Sequence, residues 1–228
     1  MEQRKLYKTL ESAFKHFPDF ESDKQLLSYV LKEVINHENI EITGGRLWEL
    51  NDSKTNYIMA EQHGEVEKIR KGYALKLDDY PIFYEVGKNR SVLAKETDKY
   101  LSNLGIHLYF ATGIGDRFKI KDASGKDQYL YQYIMAFNSR DMNINLMNTM
   151  NIISTSVSSM LRTRGIETKA RAIEKDLVKA RDIQRSILPE HEYSFANYEI
   201  FGISIPDRIV GGDFFDYLTF GNEKDKLG

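Results

Sequence analysis

Apolar residues recur every three or four positions at the start of the chain: Leu6, Leu10, Ala13, Phe14 and Phe17. That spacing predicts an amphipathic helix over residues 3–17, stopped before Pro18, whose ring cannot continue it. Ser22 then offers an N-cap, and Leu26, Leu27, Val30, Leu31, Val34 and Ile35 give a second helix its apolar face. Beyond it the period changes. Segments 40–50, 55–62 and 73–77 are short and rich in Ile, Leu, Tyr and Trp, and polar or glycine-containing stretches separate them, as they do strands. Pro81 to Gly87 predicts a short helix and Ser91 to Ala94 a small strand. Ile106 to Ile114 and Tyr129 to Asn138 predict two long strands around the polar turn 121–127.

From about Met142 to Leu188 there is no proline and one glycine, Gly165. A helix of ~45 residues would reach roughly 65 Å at 1.5 Å per residue. In its second half Ile166, Ala170, Ile173, Leu177, Ala180, Gln184 and Ile187 alternate spacings of four and three, which is a heptad seam. In a parallel pair of such helices Lys169 would face Glu174 and Asp176 would face Arg181, both of opposite sign, so a parallel homodimer is expected. The alternative is a single helix packed on its own domain, with solvated charges. An earlier seam, Leu146, Met150, Ile153, Val157 and Met160, runs one residue out of phase with the later one, and the slip falls at Gly165. Glycine costs about 1 kcal/mol relative to alanine inside a helix. Either a hinge lies at 163–166, or Gly165 ends one helix and a second begins.

Composition narrows the function classes. At 228 residues, 41% hydrophobic and with four prolines, the chain is long and apolar enough for real cores. Lysine plus arginine numbers 32 against 34 acids, which argues against a nucleic-acid-binding surface spread over the chain. No cysteine is present, which excludes disulfides, thiolate metal sites, a cysteine nucleophile and cysteine-attached bilins. The charged N-terminus and the lack of any run of ~18 apolar residues lead to the expectation of a cytoplasmic protein with no membrane partner.

The order of two helices, two strands, an irregular middle with a small helix, two long strands and a closing helix resembles a GAF domain over about residues 20–160. Local features support the likeness: the strand Arg46-Leu47-Trp48-Glu49-Leu50, the segment Gly87-Lys88-Asn89-Arg90-Ser91-Val92 and the last strand running into a helix near Asp141. The PAS fold has a similar sheet, and the two leading helices favour GAF. The resemblance implies an α+β module, an antiparallel sheet flanked by helices, that takes a small molecule or a protein signal. Tyr57, Tyr73, Phe83 and Tyr109 are the pocket candidates, with Tyr80 and Tyr84 beside them. A small pocket, or none, is expected between the sheet and the segment from Tyr73 to Gly105. No ligand is named by these residues.

Two blocks near the C-terminus carry a second resemblance: Arg181-Asp182-Ile183-Gln184-Arg185-Ser186-Ile187-Leu188-Pro189 and Pro206-Asp207-Arg208-Ile209-Val210-Gly211-Gly212-Asp213-Phe214-Phe215-Asp216. Together they resemble the start of the SpoIIE-like branch of metal-dependent (PPM) serine/threonine phosphatases. The resemblance implies that Asp213, and with less support Asp216, helps to hold a pair of Mn²⁺ or Mg²⁺ ions. It also implies that the other acidic ligands lie in later segments that residues 189–228 do not include, so no tight metal binding and no turnover are expected of this chain. Rival meanings of Gly211-Gly212-Asp213-Phe214 are a bare turn, a diguanylate cyclase signature and a phosphate-cradling loop. The second lacks an acid at Phe214, and the third lacks further glycines and a Lys-Ser or Lys-Thr. Strands are expected near 198–205 and 214–219.

Three parts are therefore expected: a GAF-like sensor at 1–160, a coiled-coil linker at 161–188 and the incomplete opening of a phosphatase domain at 189–228. The implied partners are a second copy of the chain and a phosphoprotein, such as an anti-sigma-factor antagonist. The competing expectation is a ligand-binding GAF or PAS dimerisation module with no phosphatase role.

Overall fold

A computed structural model describes residues 20–36, 42–95, 99–122, 124–140, 144–220 and 226–227, with Glu11 and Lys15. The helix expected at 3–17 lies almost wholly outside the described residues. The chain forms two compact units, Met1–Thr163 and Arg164–Gly228.

The first unit opens with helix α1, Asp23–Ile35. Ser22 is its N-cap: the serine hydroxyl accepts from the Gln25 N–H at 3.3 Å, and the Gln25 side chain accepts from the Glu21 N–H at 2.8 Å. These bonds satisfy donors that a helix start leaves without partners. Strands β1 (Ile42–Leu50), β2 (Asn56–Gly64) and β3 (Ala74–Lys76) follow, then helix α2 (Ile82–Asn89) and strand β4 (Ser91–Lys95). A short helix α3 (Lys99–Asn103) leads to β5 (Leu108–Lys121) and β6 (Asp127–Ser139). All six strands make one sheet in the order β3-β2-β1-β6-β5-β4, and every neighbouring pair is antiparallel. The β5–β6 hairpin extends further than its apolar runs predict. Asp122 explains the extension: its carboxylate accepts from the Ser124 N–H and hydroxyl, the Lys126 N–H and the Gln128 amide, so the polar turn is a built structure.

Side chains of a strand alternate between faces, and here both faces are covered. On one face Leu47, Phe110, Tyr133, Met135 and Phe137 pack under α1 and under Met150, Ile153, Val157, Met160 and Leu161. On the other, Trp48, Ala111 and Ile134 pack with Tyr57, Leu77, Phe83 and Val86. The unit is thus three layers, with α2 opposite α1.

Helix α4 runs without a break from Ile144 to Ile187. Gly165 therefore does not end a helix, and the two-helix alternative is wrong. Nothing lies within 4 Å of where a Cβ at Gly165 would stand, so no packing demand put glycine there. The early seam residues Met150, Ile153, Val157 and Met160 are buried in the core of the first unit; the side chain of Leu146 is outside the described residues. Ile166, Ile173, Leu177 and Ile187 are exposed, as are Ala170 and Ala180. Asp176 pairs with Lys179 at 3.5 Å and Arg181 with Asp182 at 3.2 Å, both along the same helix.

In the second unit, β7 (Glu192–Phe195) and β8 (Tyr198–Phe201) form a hairpin, and β9 (Thr219–Phe220) pairs with β10 (Lys226–Leu227). The strand expected over 214–219 is not formed; residues 213–218 are irregular, and regular pairing begins at Thr219.

Candidate functional site

The first unit holds a cavity of about 280 Å³ between the sheet and α2. Its floor explains why it exists. On adjacent strands Ala136 sits opposite Arg46 of β1 on one side and Ala111 of β5 on the other. Two alanines at the middle of a sheet leave a gap that leucines or phenylalanines would fill. Trp48, Ile134, Tyr109 and Asn138 surround them, Tyr80, Ile82, Phe83 and Val86 close the far side, and Lys95 stands among the lining residues. Arg46 reaches out of the sheet to donate to the Glu67 carbonyl, and Asn138 donates to that of Glu65 at 3.1 Å.

Helix α2 is the movable-looking wall, yet it is tied down. Gly87 lies against the backbone of Tyr129, so close that a Cβ would overlap the Tyr129 carbonyl oxygen. Arg117 donates to the Gly87 carbonyl at 3.0 Å and stacks over the Tyr129 ring at 4.0 Å. Near the other end the Tyr84 hydroxyl donates to Asp78 at 2.9 Å. Partial burial, that bond and the charge of Asp78 push the Tyr84 phenol up to about 12.

Of the expected pocket residues, Phe83, Tyr109 and Tyr80 line this cavity, whereas Tyr57, Tyr73 and Tyr84 do not. Tyr57 is fully buried beneath it. Its hydroxyl donates to the Tyr131 carbonyl at 2.6 Å, and its ring meets Phe83 at 4.5 Å. Tyr73 is half exposed. An aromatic beside a strand reads alike from sequence whether it is floor, core or surface. The two alanines were the better signal, and no apolar pattern marks them.

In the second unit Gln184 makes two hydrogen bonds to one residue. Its side-chain Nε2 donates to the Gly211 carbonyl at 2.7 Å, and the Gly211 N–H donates to its Oε1 at 3.1 Å. A primary amide presents a donor and an acceptor side by side, as a neighbouring strand does, so Gln184 holds the turn as a ladder partner would. Gln184 is thus engaged within its own chain rather than standing open with the rest of the seam. Gly211 is also tight against Pro206, 3.2 Å from where a Cβ would be, while a Cβ at Gly212 would meet nothing within 4 Å. Of the two glycines, only Gly211 thus stands where a side chain would be crowded. Asp213 and Asp216 are exposed; the Asp216 carboxylate accepts from the Tyr217 N–H at 2.8 Å. Among the described residues no three acidic, histidine or cysteine side chains come together as metal ligands. One or two exposed carboxylates do not make a two-metal centre.

A cluster unseen in the sequence organises the unit: His191 with Phe201 and Phe215, and Tyr193 stacked on Tyr217 at 4.8 Å. His191 Nδ1 donates to the Gly202 carbonyl, and the Tyr217 hydroxyl donates to the carbonyl of His191.

No helix among the described residues is long and apolar enough to cross a membrane. No family model matches the chain, and no curated protein matches it either. Solved structures do resemble it. One is the phycoerythrobilin-bound GAF domain of a cyanobacterial phytochrome, at 8% identity over 72% of this chain and 97% of that one, with a TM-score of 0.50. Another is residues 122 to 287 of a methyl-accepting chemotaxis protein, at 12% identity over 70% and 99%, TM-score 0.50. A third is a bacteriophytochrome of R. palustris, at 8% identity over 79% and 42%, TM-score 0.51. At such identities the likeness speaks for the fold alone: this chain carries a GAF-like α+β fold, an antiparallel sheet flanked by helices, followed by one long C-terminal helix.

Proposed function

We propose that the chain is the sensor and linker of a SpoIIE-like serine/threonine phosphatase, with residues 189–228 as the opening of the catalytic domain. The observation that carries this is the paired hydrogen bonding of Gln184 to Gly211. They tie the last turn of α4 to the backbone two residues before Asp213. Whatever turns or shifts the end of that helix therefore acts on the segment that would carry a metal-ligating carboxylate.

In this scheme a small molecule enters the cavity bounded by Ala111, Ala136 and Phe83. The bilin of the phytochrome relative would have no cysteine to attach to in this chain. The exposed stripe Ile166, Ala170, Ile173, Leu177 and Ile187 is the dimer seam, where two parallel helices bury what one leaves in water. Its small members, Ala170 and Ala180, keep the pairing weak, and weak pairing suits a switch whose states differ by a few kcal/mol. The intact enzyme would use Mn²⁺ or Mg²⁺ on a phosphoprotein, while this chain alone would be inactive.

Sedimentation equilibrium of the chain and of Ile173→Asp tests the seam: a dimer that the substitution makes monomeric is expected, and a wild-type monomer at high micromolar concentration would sink it. Release of phosphate from a phosphoserine protein with Mn²⁺, clearly above blank, would overturn the view that this chain lacks a working centre. A plain sensor and dimerisation module remains the second reading, favoured by the cavity lying wholly within the first unit.

A further inference from the structure

Arg90 is a strained residue in a revealing place. It caps the C-terminus of α2 with φ +67°, ψ −45°, a conformation that a residue with a Cβ adopts only under constraint. Its backbone is fixed on both sides: its N–H donates to the Val86 carbonyl at 2.7 Å, and its carbonyl accepts from the Gly113 N–H at 2.8 Å. Its side chain then leaves the cavity layer for the helix layer on the opposite face. There it donates to the Ser158 hydroxyl at 2.8 Å and to the Ser154 carbonyl at 3.3 Å, both on α4. Ser158 donates in turn to the Ser154 carbonyl at 2.7 Å and accepts from the Gly115 N–H at 3.2 Å. Ser154 and Ser158 are buried. The guanidinium Nε is also buried and has no hydrogen-bond partner among the described residues.

From this geometry we infer that Arg90 is a strap by which the cavity wall α2 pulls on α4. Three facts support a mechanical role over plain packing. Val86, whose carbonyl anchors the Arg90 backbone, itself lines the cavity, so the strap begins at the wall that a ligand would touch. The strain at Arg90 and its unsatisfied Nε are costs that a glycine at this position would avoid. The far end grips two buried serines in the portion of α4 that the first unit encloses, upstream of the exposed seam. A ligand that displaces α2 thereby changes the hold on Ser154 and Ser158. The inference rests on the cavity being the sensor's input, and its test leaves the ligand aside.

Ala136→Phe places a covalent filler in the cavity of the full chain, and Ala136→Leu serves if the larger group prevents folding. Hydrogen exchange is followed at residues 82–89 and at 154–160, alone and combined with Arg90→Met or Ser158→Ala. The expected result is that filling alters exchange in both segments. At 154–160 the change is at least about threefold, as for coupled members of one hydrogen-bond network. With Arg90→Met or with Ser158→Ala it persists at 82–89 and vanishes at 154–160. An equal effect at 154–160 with and without Arg90, or an effect confined to 82–89 in the otherwise unaltered chain, overturns the strap. A cavity that binds no small molecule but passes this test would refute the sensor reading and leave the strap standing.

Discussion

Tyr57 shows how much one hydroxyl can matter. It lies under the cavity floor with no solvent exposure, and burial raises its phenol above the ordinary range. Tyr57→Phe removes the donor and leaves that carbonyl in a dry site. Destabilisation by about 1–3 kcal/mol is expected, seen as a lower urea midpoint at unchanged slope. Tyr133 belongs with it: burial, then the charges of Glu49 and Asp23, push it up to about 12, as Tyr84 is pushed. The folded-state values of Tyr84 and Tyr133 are raised, so these two phenols contribute stability that is complete below the ordinary tyrosine value of about 10 and is lost as pH climbs through about 12. Absorbance at about 295 nm should then show Tyr57, Tyr84 and Tyr133 still protonated near pH 11. Full ionisation by that pH with the fold intact would contradict the burial described. Such distinctions were hidden in the sequence, because Tyr57, Tyr73 and Tyr84 share the same letter and the same kind of neighbours while only their depth differs.

At the scale of elements, the helices and strands were legible where one face or both are apolar. The Ser22 cap, the run from Leu26 to Val34 and the α4 pattern from Met150 to Met160 all lie as the periodicity predicts. The hairpin reached past its pattern because Asp122, rather than any apolar residue, organises the turn. The irregular course of 213–218 escaped notice for a related reason: an aromatic run suggests a strand, but Phe215 and Tyr217 pack into a local ring cluster instead. Two glycines make opposite predictions. Gly87→Ala pushes a methyl into the Tyr129 backbone, so α2 must move away from the sheet, at a cost of about 1–3 kcal/mol. Gly165→Ala adds its methyl to open space on a continuous helix and should stabilise α4 by about 1 kcal/mol. Amide exchange at 161–169 that slows without any loss of fold would confirm it. Under the phosphatase role proposed above, a hinge at Gly165 would show itself as altered output in that variant; unchanged output would leave the glycine without a mechanical part.

Over the whole molecule, burial is distributed unevenly. The buried apolar core runs from Leu26 to Leu161 and then stops, while Ile166, Ile187, Tyr198, Ile205 and Phe214 are all exposed. The described residues from 164 to 218 thus lack the apolar burial that offsets conformational entropy in a domain. Their order should depend on association. Protection of the β7–β8 amides is expected to rise with protein concentration, whereas that of β1 and β6 should not change with it. If both respond alike, the two units do not differ in this way.

The margins of the six-stranded sheet bear on how copies meet. Its outermost strands are three and five residues long, and each finishes in a lysine, Lys76 and Lys95. Short, cationic borders give an incoming strand little backbone to zip onto and charge it for the approach. Growth of the sheet from molecule to molecule is therefore discouraged, and crowded solutions of this protein should fill with discrete particles rather than fibrils.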